Sequence, residues 1–414
     1  MNEKIINKLT LFINFTLFLF LGIIIIVFDT NSQNMFHIIT SLSITLVGII
    51  SFIINLVNKR KIKDILLSLW TYLIGLFFLK NKIKYLSLFP IIFALYMLLN
   101  GLIKFITYIV FKNEEKKNYY FVLLGSLTDF CFSYLMIRKP YQKINILTLI
   151  LGIYLILYSL TYLSDFLKEI FKEETTKRKL RITPPIIFTV LIPYRVKGRL
   201  GKYLDTFKTE VKIKKEKKNI DLEIYIHVSE KDEGKVGHAD FSYNGVVYSY
   251  GCYDENSKRL FKSLGEGTLF KTNDKEKYIK FCTQYSKKTI FAFGLSLNNN
   301  EKKKIEKKLK EIEEDTYPWN PNDKGKFKNT YAQNLVKKTN AKFYKFNKSS
   351  YKTYFLLSTN CVKLVDDVLG TLGSDILKIN GVITPGAYYE YLEKEFKREN
   401  SKVVKKQIYQ NNYL

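Results

Sequence analysis

The chain has 414 residues, enough for two or three domains. Its net charge of +28 suits an anionic neighbour, either phospholipid headgroups or nucleic acid. No nucleic-acid motif accompanies the charge, so membrane lipids are the partner the composition favours. The four cysteines, Cys131, Cys252, Cys282 and Cys361, form no CxxC pair, and only three histidines exist. That excludes the usual structural zinc patterns and gives no disulfide framework, and nothing in the sequence calls for a cofactor or a metal. A mean hydropathy of −0.07 conceals two unlike halves. Residues 9–165 are rich in Leu, Ile, Phe and Tyr, whereas residues 166–414 are crowded with Lys, Asn and Glu.

A helix that crosses a bilayer needs about 20 mostly apolar residues. Six segments qualify as candidates, at 9–28, 38–57, 65–79, 85–111, 121–137 and 144–166, the third and fifth being short. The first is too long and apolar for a cleaved signal peptide and no small-residue cleavage site follows it. The segments repeat. Gly22, Gly75 and Gly125 take like positions in the first helix of three successive pairs, and Gly48, Gly101 and Ser159 do so in the second. Small residues at matched depth let helix backbones approach closely in lipid. The expected architecture of residues 1–166 is therefore an all-α six-helix transmembrane bundle made of three helical hairpin repeats. This half resembles the HdeD-like short-repeat membrane family. Asp129, in the fifth segment, and Lys104, in the fourth, are the charges placed deep in a span, where ionisable groups are expensive. Basic residues at 4–8, 59–63, 112–117 and 168–181 number 15, against 6 at 80–84 and 138–143. The bias puts both termini in the cytoplasm of a bacterial-type cell membrane if all six segments cross. One segment fewer would move the second half outside.

Residues 167–218 read as a basic linker. Within it PPIIFTVLIPY, 184–194, is too short to span and carries flanking prolines and cations, so it reads as an interfacial segment or as a strand of the following domain. From 219 to 414 the pattern is α+β. IDLEIYIHV alternates like a strand, and GHADFSYNGVVYSYG reads as a hairpin turning at Asn244-Gly245. Helices are expected at 276–285 and 300–315, a strand at 289–297, and a long polar stretch at 316–350. YKTYFLLSTNCVKLVDDVLG ends as a helix opening at Cys361, with Leu364, Val365, Val368 and Leu369 on its inward side.

A cysteine in the first turn of a helix meets free N–H groups and the positive end of the dipole, both of which favour a thiolate. Thr359 or Asn360 can cap that helix, and its N–H groups can hold an oxyanion. His238, opening a strand 123 residues upstream, is the candidate base. Taken singly, the cysteine reads as a small buried hydrophobe and the histidine as an ordinary strand residue. Together, GHADFSYNGVVYSYG, YFLLSTNCVKLVDDVLG and ITPGAYYEYL resemble the circularly permuted papain-like superfamily. That group includes NlpC-type cysteine hydrolases, lecithin:retinol acyltransferases and, with the best fit, the domain of Lnb-type lipoprotein N-acyltransferases. The resemblance covers about residues 220–395. It implies Cys361 as nucleophile, His238 as base and a third polar group to orient the imidazole. Related acyltransferases carry a histidine on the next strand, which here reads VVYSYG. Ser249, Tyr250 and Asp240 are the candidates for that role, and His227 reads as structural. The resemblance thus implies a membrane-anchored thiol acyltransferase or hydrolase acting on acyl lipids or lipoproteins. The alternatives are an NlpC-type amidase or peptidase on peptide or cell-wall substrates, and a non-catalytic membrane sensor or scaffold that binds lipid or peptide.

Overall fold

The computed structural model describes residues 3–27, 29–57, 62–114, 119–171, 212–213, 219–229, 237–322, 327–372, 384–398 and 401–410. The chain divides into two compact units, one of residues 1–108 and 118–167, the other of 109–117 and 168–414. The segment 184–194 lies outside the described residues.

The first unit is built on six helices: α1 Glu3–Val27, α2 Asp29–Val57, α3 Ile62–Lys80, α4 Lys82–Asn113, α5 Tyr119–Ile137 and α6 Ile144–Phe171. Five of them contain a stretch long and apolar enough to cross a membrane: Leu9–Val27, Thr40–Val57, Ser87–Asn113, Tyr119–Ile137 and Asn145–Ser164. α3, 19 residues long with Asp64 in its first turn and Lys80 in its last, is not among them. The expected six spans are thus six helices with five clear spans among the described residues. Leucine, isoleucine and phenylalanine side chains of these helices are exposed in numbers a water-soluble unit would not carry.

Gly22, Gly48, Gly75 and Gly101 sit at tight helix contacts, but they join different helices from the expected hairpins, and a Cβ on Gly125 would meet only the Lys104 side chain at an ordinary 3.6 Å. A Cβ on Gly48 would fall 2.5 Å from Tyr72 N, and one on Gly75 would fall 2.6 Å from Thr45 N, so α2 and α3 lie backbone to backbone. A Cβ on Gly22 would fall 2.8 Å from Gly152 O across α1 and α6, and one on Gly101 would fall 2.8 Å from the Phe130 ring across α4 and α5. The close pairs therefore cross the boundaries of the sequence pairs. Asp129 is buried with Lys104 Nζ at 2.8 Å, and Asn100 Nδ2 donates to it at 2.6 Å. The α4–α5 contact is further tied by Ser126 to Gly101 O and Ser133 to Ala94 O, each at 2.8 Å.

The second unit is organised on a nine-stranded antiparallel sheet. Its strands are β1 Lys212–Ile213, β2 Leu222–Val228, β3 His238–Tyr243, β4 Val246–Gly251, β6 Thr268–Thr272, β7 Thr289–Leu295, β8 Thr316–Trp319, β9 Lys342–Phe346 and β11 Val403–Tyr409, in the order β1-β11-β7-β2-β3-β4-β6-β9-β8. β5 Leu264–Glu266 and β10 Thr353–Phe355 make a separate two-stranded pair. The expected hairpin turns at Asn244 (φ 48°) and Gly245 (φ 81°), as a tight primed turn requires.

The central strands β2 and β7 are buried along their whole length, so helices cover both faces. On one face α8 Asn299–Glu314, α10 Val362–Gly370 and α11 Pro385–Lys397 pack Ile305, Leu309, Val365 and Leu392 on Ile224, Ile226, Phe241 and Phe293. On the other, α7 Lys275–Lys280 with the π-helical turn Phe281–Tyr285, and α9 Tyr331–Thr339, pack Tyr278, Cys282 and Leu335 on Tyr225, Phe270 and Phe343. Each long helix starts where the sequence signals a start. Asn298 and Glu301 form a capping box on α8, and Thr384 caps α11 before Pro385. The polar stretch 316–350 holds β8, α9 and β9, which its composition concealed.

Candidate active site

Strand parity puts His238, Asp240 and, on the neighbouring strands, His227 and Ser249 on one face of the sheet. His227 and His238 are direct cross-strand partners, with ring centroids 5.7 Å apart. Gly237 introduces His238 with φ +88°, and a Cβ there would lie 3.0 Å from His227 O. The glycine of the GH motif is thus needed to bring the chain this close to β2.

Of the three sequence candidates for orienting the imidazole, Ser249 is the one in hydrogen-bond contact with His238. Its Oγ hydrogen-bonds His238 Nε2 at 2.8 Å and is itself 2.9 Å from Tyr253 Oη. This leaves Nδ1 as the remaining nitrogen of the His238 ring. The side chain keeps 23 % of its surface exposed. Its pKa is pulled down to about 3, first by burial, against the attraction of Asp240 and together with the positive His227 and Lys288. His238 is therefore neutral near pH 7, the form a general base needs.

Asp240 has a different partner from the one sought. Its Oδ1 accepts from His227 Nε2 at 2.9 Å, Tyr278 donates to its Oδ2, and His238 Nε2 is farther away at 3.7 Å. Burial opposes ionisation of Asp240, but the His227 charge and hydrogen bond outweigh it and hold the carboxyl below its ordinary value. Burial likewise opposes the charge on His227, but Asp240 outweighs it and, with Cys282 adding a smaller share, lifts His227 to about 9. A buried His227–Asp240 ion pair consequently lies beneath the candidate base. Tyr250 is elsewhere. It projects to the opposite face, where its hydroxyl donates to Tyr351 O at 3.0 Å, so it does not orient His238.

Cys361 lies at the start of α10, 2 % exposed, with backbone N–H groups near its sulfur. Ala239 of β3, Cys361 itself and Val362 all donate toward its sulfur. The Ala239 contact brings the thiol to the residue next to His238, but the His238 side chain lies on the other face of β3, against Ser249, Asp240 and His227, and is not among the groups that act on the sulfur. Asn360 is the cap: its Oδ1 accepts from Val362 N at 3.1 Å. Thr359 is not, because its hydroxyl bridges Thr353 O at 2.7 Å and Phe355 N at 3.1 Å, bracing the turn before the helix. The thiol pKa runs opposite to the expected depression. Burial pushes it up to about 11, outweighing the three N–H groups. The resting group is a thiol, not a thiolate.

Tyr253, Tyr278 and Cys282 were not legible as neighbours of this site. They arrive from a loop and from the helix that covers the His227–Asp240 face, and no local pattern marks such a meeting. His227 was legible only through the β2–β3 register. Among the described residues no cluster of His, Cys, Asp and Glu could hold a metal ion.

A family model described as a short repeat of unknown function (DUF308) matches residues 66–138, which run through most of α3, all of α4 and α5. No curated protein and no solved structure matches the chain. The repeat match and the five apolar helices together make this a multi-pass membrane protein whose helical half is followed by an antiparallel-sheet domain.

Proposed function

We propose that the chain is a membrane-anchored cysteine acyltransferase or hydrolase of the permuted papain-like, Lnb-related kind, acting on acyl lipids or lipoproteins. One observation carries this reading. The helix-start thiol of Cys361 takes an N–H bond from Ala239, next to a neutral His238 whose Nε2 is held by Ser249. For turnover His238 turns from Ser249 toward the sulfur and removes the thiol proton as sulfur attacks a carbonyl carbon, and N–H groups at the helix start stabilise the oxyanion. The C–O, C–S or C–N bond then breaks, His238 returns the proton to the leaving group, and an acyl thioester remains on Cys361. Water or an amine resolves it, losing a proton to His238. Because the resting thiol is protonated, proton transfer accompanies attack instead of preceding it.

The burial of Cys361 and its raised pKa favour a second reading, a papain-like domain that binds lipid or peptide without turnover. Incubating the full chain with phospholipid vesicles separates the two. The enzymatic reading expects a hydroxylamine-labile acyl adduct on Cys361, absent from Cys361→Ala and formed about 10²–10⁴ times more slowly in His238→Ala. Equal lipid turnover by Cys361→Ala and the natural chain would remove it.

A further inference from the structure

The loop between Lys258 and β5 carries a feature that the proposed chemistry does not use. Leu260, Phe261 and Lys262 have φ of 45°, 54° and 65°, three consecutive left-handed residues without a glycine. Such a run is unfavourable for side chains with a Cβ and persists only where the surroundings hold it. Here they do. Arg259 N donates to Leu264 O at 2.7 Å, Leu264 N returns to Arg259 O at 3.2 Å, and both the amide and the hydroxyl of Ser263 donate to Leu260 O. The result is a rigid tip that points apolar groups outward. Phe261 is fully exposed and Leu260 is half exposed. Arg259 and Lys262, both exposed, flank them.

The tip is joined to the Cys361 loop. Leu356 N donates to Ser263 O at 2.8 Å, and β5 pairs with β10 from Leu264↔Phe355 to Glu266↔Thr353. Leu357, in the turn that leads to Cys361, is also exposed. A displayed Phe-Leu pair between two cations has the chemistry of an interfacial lipid contact: rings and alkyl chains enter the acyl boundary while guanidinium and ammonium stay at the phosphates. The net charge of +28 complements an anionic leaflet, and the chain is covalently continuous with membrane-spanning helices. We propose that Arg259–Ser263 is a docking tip that inserts Leu260 and Phe261 into an anionic phospholipid surface beside the Cys361 loop. Docking requires only these side chains, so it stands whether or not Cys361 is a nucleophile.

The test uses the full chain in phosphatidylglycerol-containing vesicles, with Trp70→Phe and Trp319→Phe removing both natural tryptophans. A tryptophan introduced by Phe261→Trp is expected to be quenched by brominated lipid and shielded from iodide, whereas one introduced by Tyr317→Trp on exposed β8 shows the reverse. Arg259→Gln with Lys262→Gln is expected to lower the lipid quenching by about half, as is replacement of phosphatidylglycerol by a zwitterionic lipid, since each cation contributes at a charged surface. Cys361→Ala is expected to leave quenching unchanged, which separates docking from catalysis. A second measurement uses the natural sequence: a photoactivatable phospholipid in the same vesicles should label the 259–263 peptide as well as the spanning helices. Iodide quenching at 261 equal to that at 317, or photolabel confined to the helices, would overturn the proposal.

Discussion

At the residue scale, the informative group is His227, which the sequence read as structural and the fold places under the candidate base. Its ion pair with Asp240 lies in a fully buried layer shared with Tyr278 and Cys282. Breaking a buried pair by removing one partner leaves an uncompensated charge, at a cost of about 3–5 kcal/mol. His227→Ala should therefore open the domain, read as alkylation of the otherwise buried Cys282. The pH dependence has a defined sign. His227 is raised from 6.5 to about 9, so its contribution is fully present below pH 6.5 and fades as pH rises through about 9. Asp240 is lowered, so its contribution is present above the ordinary carboxylate value and fades as acid protonates it. His238 is lowered to about 3, so folding disfavours its protonation and stability is lost as pH falls from 6.5 toward that value. Comparing the natural chain with His227→Gln from pH 6.5 to 9.5 should show the alkaline loss only in the natural chain. An identical alkaline limb in both would mean that His227 is not charged in the folded protein.

At the scale of elements, the α4–α5 contact poses a similar question in lipid. Lys104 and Asp129 face each other within two apolar helices, supported by Asn100. A lone charge at the middle of a spanning helix costs about 2.5–3.5 kcal/mol on insertion scales. Asp129→Leu should strand Lys104 and lower the melting temperature of the detergent-solubilised helical unit. Adding Lys104→Met should restore much of the loss. If the double variant is no better than Asp129→Leu, the aspartate has a role beyond matching the lysine. The soluble domain shows the corresponding economy at its helix starts, where Asn298, Thr330 and Thr384 each satisfy an otherwise unpaired amide.

At the scale of the whole molecule, the side of the membrane decides the substrate. With six crossings the cation bias places the sheet domain in the cytoplasm, where inner-leaflet lipid would supply the acyl group of the proposed reaction. With five crossings, leaving out α3, the domain moves to the opposite side from the N-terminus and exported lipoproteins become the leading substrate. We propose the cytoplasmic placement, for which the 15 loop cations against 6 are counted with all six helices crossing, and which sets a basic domain against an anionic leaflet. Alkaline phosphatase joined after Leu414 should be inactive in intact cells, and a membrane-impermeant maleimide should reach an introduced Asn411→Cys only after permeabilisation. Phosphatase activity would place the domain outside.

Composition and periodicity alone determined the division into halves, the apolar helices and most of their close-packing glycines, the Asn244-Gly245 hairpin and the helix start at Cys361, because each depends on neighbours within one or two turns of chain. The tertiary structure decided what depends on distant partners. It set which helices the glycines join, and it placed Ser249, not Tyr250 or Asp240, on His238. It gave Asp240 to His227 through the β2–β3 register and brought Tyr278 and Cys282 from the helix that covers that face. It also reversed the expected state of the Cys361 thiol. A helix start favours the thiolate, but the completed core removes water from the sulfur, and desolvation of a charge outweighs three N–H groups. Burial is a property of the whole packed domain, and no local pattern around Cys361 records it.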